Sequence, residues 1–97
     1  MYTKVMIELT VKIYGRVQGV FFRQSTKEQA MRLGVCGWVK NCSDGSVAVL
    51  IQGDAFVMDQ MMDWLSIGPE MAKVREVKIL SQKDCTKLKE GFTILYE

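Results

Sequence analysis

From Val5 to Ile13 every second residue is apolar, through Ile7, Leu9 and Val11, while Glu8, Thr10 and Lys12 hold the positions between. A period of two is the period of a pleated strand, so this segment offers one face to a core and the other to water. After a glycine-containing loop the period changes: Phe22, Thr26, Ala30 and Leu33 recur at helical spacing among good helix formers, and Gly34 supplies a C-terminal stop. A strand followed at once by a helix, at about 23–33, restricts what the rest can be.

The segments 35–41 and 46–53 are rich in Val, Ile and Trp and flank Cys42-Ser43-Asp44-Gly45, whose Asp-Gly step marks a tight connection. They read as a hairpin. Asp54 is placed to cap a second helix in which Met58, Met61, Met62 and Leu65 fall at i, i+3, i+4 and i+7, before Gly68-Pro69 ends it. A strand at 74–80 and a short one at 92–96 bracket the charged segment 83–90, which reads as a solvated loop. The order βαββαβ with an extra short C-terminal strand predicts an α+β, ferredoxin-like sandwich, an antiparallel sheet with two helices on one face. In that arrangement strands one and two run parallel, so both end on one edge, where the first helix begins.

Residues 1–97 are expected to form a single domain, since 97 residues with 48% hydrophobic content build one core and leave no room for a second. A net charge of +2 with no Lys/Arg run argues against a nucleic-acid or polybasic membrane partner. Strand 46–53 also lacks the exposed aromatics on which an RNA-binding sheet stacks bases. Met1 to Tyr14 shows no secretory pattern, and no apolar run is long enough to span a membrane. Cys36, Cys42 and Cys85 are odd in number and form no Cys-x-x-Cys pair, so they read as reduced thiols in a cytoplasmic protein. A monomer is the expected state. Asn41-Cys42-Ser43 fits a glycosylation pattern, which carries no weight without a secretory signal.

The connection into the first helix reads Gly15-Arg16-Val17-Gln18-Gly19-Val20-Phe21-Phe22-Arg23. Glycines let successive N–H groups face inward, and a helix N-terminus adds to an anion site, although two glycines alone fit an ordinary turn. Arg23 at its end can supply a bidentate guanidinium fork. Asn41 stands where the second strand ends; by residue type it is a turn former. Trp38 reads as core, Lys40 as solvent-facing, and Asp44 with Gly45 as turn-shaping.

Gly15-x-Val17-Gln18-Gly19-Val20-x-Phe22-Arg23 and Gly37-Trp38-Val39-Lys40-Asn41-x-x-x-Gly45-x-Val47 resemble the two signature blocks of the acylphosphatase family. Gly68-Pro69 through Val74, and Phe92-Thr93-Ile94, resemble its later segments. The resemblance implies that Arg23 binds the substrate phosphate, that Gly15, Arg16, Val17, Gln18, Gly19 and Val20 cradle it, and that Asn41 positions the attacking water. It implies a small acyl phosphate as substrate, and inorganic phosphate as product and inhibitor.

The residue inventory agrees by exclusion. The chain has no histidine, no Cys-x5-Arg loop, neither standard nucleotide fingerprint and no clustered carboxylates for a metal, so no cofactor is expected. What remains can position and stabilise, which suits a substrate already activated: an acyl phosphate expels a carboxylate whose acid has a pKa of about 4 and needs no protonation. The competing reading is a binding module for a phosphorylated ligand or partner.

Overall fold

The computed structural model describes residues 5–96. Met1 to Lys4, where the search for a secretory signal begins, and Glu97 lie outside them. The elements are β1 (Met6–Arg16), α1 (Phe22–Leu33), β2 (Cys36–Asn41), β3 (Val47–Gly53), α2 (Ala55–Leu65), β4 (Lys73–Cys85) and β5 (Phe92–Leu95). One sheet holds all five strands in the order β4-β1-β3-β2-β5. This is the expected ferredoxin-like sandwich with its added strand. The sheet is antiparallel except at one edge, where β5 runs parallel to β2.

Alternation along β1 buries Leu9, Val11 and Ile13 against the helices, and Val39, Val49 and Ile51 join them from the neighbouring strands. The helices answer with Phe22 and Ala30 from α1 and Met58, Met61 and Leu65 from α2. Both helix boundaries follow the local chemistry. Asp54 caps α2 by accepting from the Val57 N–H at 3.1 Å, and Gly34 closes α1 in a left-handed conformation, φ 75°, that lets the Val35 N–H reach the Ala30 carbonyl.

Three expectations need correction. The segment 83–90 is not all loop, because Lys83, Asp84 and Cys85 extend β4 and pair with β1 as far as Met6. From residue 78 to 84 this edge strand is exposed on both faces and carries no period-two pattern, which hid its length. Trp38 lies between Gly37 and Val39, both buried toward the helices, so it faces the uncovered side of the sheet and is half-buried. Lys40 lies on that side too, its ammonium 5.4 Å from the Trp38 ring centre, so it does not stand free in solvent.

Candidate active site

β1 continues through Gly15 and Arg16, which pair with Val74 and Lys73 of β4. A Cβ on Gly15 would stand 2.1 Å from the Lys73 carbonyl oxygen, so this glycine serves the close approach of two strands. Neither Gly15 nor Arg16 lines the cleft described below, and the loop proper is 17–21. Val17 and Val20 bury their side chains in the core and anchor it. Gln18 Nε2 donates to the carbonyl oxygens of Cys42, at 2.9 Å, and Ser46, at 2.8 Å. Both hydrogens of that amide are thereby engaged, so the Gln18 side chain ties the loop to the β2–β3 turn and has no donor left for a phosphate.

The turn itself is fixed from within. Asp44 accepts from the Ser46 N–H and hydroxyl, and its carboxylate sits 3.0 Å from Lys12 Nζ. These contacts, the Ser46 hydroxyl first, hold the Asp44 carboxyl well below the usual carboxylate range, and Asp44 in turn raises Lys12. Asp44 and Gly45 thus shape the turn that presents Asn41.

Phe21 ends the loop at φ 61° and ψ 25°, the one non-glycine residue with positive φ among those described. A bulky side chain in that region costs on the order of 1–3 kcal/mol. It leads directly into α1, which has no side-chain cap and no acidic residue in its first turn. The leading amides of the helix are therefore uncapped, and with the dipole they favour an anion.

Arg23 lies in that first turn, its guanidinium carbon 5.0 Å from the centre of the Tyr96 ring. Asn41 is the last residue of β2, and its Oδ1 is buried without a hydrogen-bond partner. Leaving such an acceptor unpaired costs about 1–3 kcal/mol, a cost removed when a water or ligand donates to it. A cleft of about 280 Å³ brings together Val17, Gln18, Gly19, Arg23 and Asn41, with Phe21, Phe22, Gln24, Ile94 and Tyr96 completing the wall. A second hollow of about 260 Å³ shares Arg23, Asn41 and Tyr96 and adds Cys42, Ser43 and Leu95. Arg23 and Asn41 stand where the two meet, and Arg23 is the single charged residue among those lining either. No group of three or more His, Cys, Asp or Glu able to hold a metal occurs among the described residues.

Sequence reasoning missed Phe21, Ile94 and Tyr96. The parallel register of β5 on β2 pairs Lys40 with Leu95, so the residues that follow, Asn41 and Tyr96, emerge side by side. That signal required knowing which strand β5 joins. Phe21 could have been found from its position, an aromatic directly after a buried valine and directly before the first helical residue.

A model of the acylphosphatase family matches residues 9–94. An acylphosphatase of Nitrosococcus oceani is 54% identical over 66 residues, covering 68% of this chain and 74% of that protein. Acylphosphatase-2 of Gallus gallus is 41% identical over 87 residues, covering 88% and 84%. The structure of an acylphosphatase from Coxiella burnetii superimposes with a TM-score of 0.84 at 32% identity, covering 98% of this chain and all of that one. With the family's match running from β1 into β5 and the same fold in a solved member, the chain belongs to the acylphosphatase family.

Proposed function

We propose that this enzyme hydrolyses the carboxyl-phosphate bond of acyl phosphates to a carboxylate and inorganic phosphate, with Arg23 and loop 17–21 holding the phosphate and Asn41 holding the water. The observation that carries these roles is the meeting of the Arg23 guanidinium and the unpartnered Asn41 Oδ1 in one cleft beside an uncapped helix N-terminus. Guanidinium and amides supply donors to the phosphate oxygens, and Oδ1 accepts from the water. Water oxygen attacks phosphorus from the side opposite the leaving group, and the bond from phosphorus to the carboxyl oxygen breaks. Its electron pair leaves with the carboxylate, and a water proton passes to a phosphate oxygen of the substrate. The chain has no histidine and Arg23 cannot act as a base, so the substrate's own phosphate is the nearest acceptor.

The reading extends to a monomer, and to a reducing cytoplasm, the latter supported by three cysteines that are all free thiols. Among the described residues no helix is long and apolar enough to cross a membrane. The test is phosphate release from an acyl phosphate and from an aryl phosphomonoester, across about pH 5–8 to bracket the second phosphate pKa near 6, with and without EDTA. The expected result is turnover of the acyl phosphate alone, indifferent to chelation, with no bell-shaped profile from a protein acid and base. Phosphate binding without turnover would make this a binding module. Loss of activity on chelation, restored by a divalent ion, would overturn the cofactor-free mechanism.

A further inference from the structure

A phosphate group takes the room of two or three waters, under about 100 Å³ at roughly 30 Å³ each, so it leaves most of the 280 Å³ cleft unfilled. What walls the remainder is aromatic and apolar. Phe21 is 82% exposed and Tyr96 77% exposed, and both rings line the same cleft, with Ile94 beside Tyr96. Around Phe21 the other apolar side chains turn inward: Val17 and Val20 of the loop and Phe22 of α1 are buried, and Phe22 packs against Trp64. Phe21 alone is held outward, by the left-handed backbone that a glycine would adopt without strain. Tyr96 has one face on the Arg23 guanidinium. Apart from Arg23, the cleft offers no charged side chain to an acyl group bearing its own carboxylate, phosphate or amine.

We infer that Phe21 and Tyr96 form the acyl subsite and make the enzyme selective for acyl phosphates whose acyl group is aromatic or apolar, over short or charged ones. The inference rests on the phosphate being held by Arg23 and loop 17–21, which places the acyl group toward the two rings. Ring stacking and apolar burial against Phe21 and Tyr96 then add binding that an acetyl group cannot collect.

The experiment compares kcat/KM for benzoyl phosphate and acetyl phosphate in the parent enzyme, in Phe21→Gly and in Tyr96→Leu, and measures competitive inhibition by inorganic phosphate in each. Phe21→Gly removes the ring while relieving the backbone, so loss of folding does not obscure it. The parent is expected to favour benzoyl phosphate, and the preference should fall roughly tenfold in Phe21→Gly, the scale at which pocket contacts discriminate. Tyr96→Leu should fall less, because leucine keeps an apolar wall. The phosphate inhibition constant should move less than the preference in both. An unchanged benzoyl-to-acetyl ratio in Phe21→Gly overturns the inference, as does a rise in the phosphate constant that matches the loss. A parent that hydrolyses neither compound overturns the hydrolytic reading itself, and the acyl subsite with it.

Discussion

The two ends of the sheet differ in what they leave unpaired. At the end where β1 and β2 finish, Asn41 Oδ1 is buried with no partner, the first turn of α1 is uncapped and Phe21 is in a strained conformation. At the other end Gln52, 3% exposed, donates through Nε2 to Glu8 at 2.8 Å and accepts through Oε1 from the Lys89 N–H at 2.7 Å. Glu8 has a second partner in Lys83 Nζ, 3.3 Å away. One end keeps binding capacity unspent and the other uses its polar groups to join β1, β3, β4 and the segment before β5. Buried polar groups therefore stand in two states: those left open are available to a ligand, and those closed on one another hold the strands in register.

The largest expected effect is at the open end. Arg23→Gln should take hydrolysis below detection and abolish inhibition by inorganic phosphate, because the guanidinium is proposed to hold the anion before and during transfer. Neither Arg16, the last residue of β1, nor Arg32, in the last turn of α1, lines the cleft, so neither should replace it. Phosphate inhibition that survives in this variant would move the anion site elsewhere. Asn41→Ala comes next, with turnover down by about two to three orders of magnitude, the usual scale for one positioned group. Its unfolding midpoint should hold, since the group removed has no protein partner to lose. A variant that unfolds, or that keeps near-normal turnover, would return Asn41 to the role of a turn residue.

The architecture was legible because its signals are local. Alternation on β1, helical spacing with caps at Asp54 and Gly34, and the Asp-Gly turn each needed only neighbouring residues. The two residues given the central roles, Arg23 and Asn41, were also found by motif, and the fold brings them into one cleft. What local signals left out depends on pairing across the sheet. Gly15 belongs to the strand because of where Lys73 lies, and the Gln18 side chain is a strut because of where Cys42 and Ser46 lie. Lys83 to Cys85 are strand only because β1 extends far enough to meet them. Tyr96 reaches the cleft through the parallel register of β5, which no period along the chain encodes.

At the closed end the effects should fall on stability alone. Gln52→Leu leaves a Glu8 oxygen and the Lys89 N–H without their partner, a loss of about 1–3 kcal/mol. For a domain of this size the midpoint should drop by roughly 4–8 °C per kcal/mol, read by thermal unfolding. Catalysis measured well below the new midpoint should stay within about twofold of the parent, the site being at the other end of the sheet. A large loss of turnover in a folded Gln52→Leu protein would break the separation between the two ends.

The smallest effect separates two influences on Glu8 that act in opposite directions. The hydrogen bond from Gln52 is the largest and lowers the Glu8 carboxyl from its ordinary value, Lys83 lowers it further, and burial works to raise it. The net direction is down. A carboxyl depressed by folding contributes stability that is present above its unfolded pKa of about 4.3 and is lost as pH falls through the folded value. Glu8→Gln removes that charge while its amide oxygen can still accept from Gln52. Its unfolding free energy should therefore lie slightly below the parent's at pH 7, by on the order of 1 kcal/mol or less because Lys83 is solvent-exposed. The gap should close progressively below about pH 4 and narrow in 1 M salt, and hydrolysis at pH 5–8 should match the parent. If the gap instead widened on acidification, burial would outweigh the hydrogen bond, and Glu8 would be a group the fold strains to keep charged.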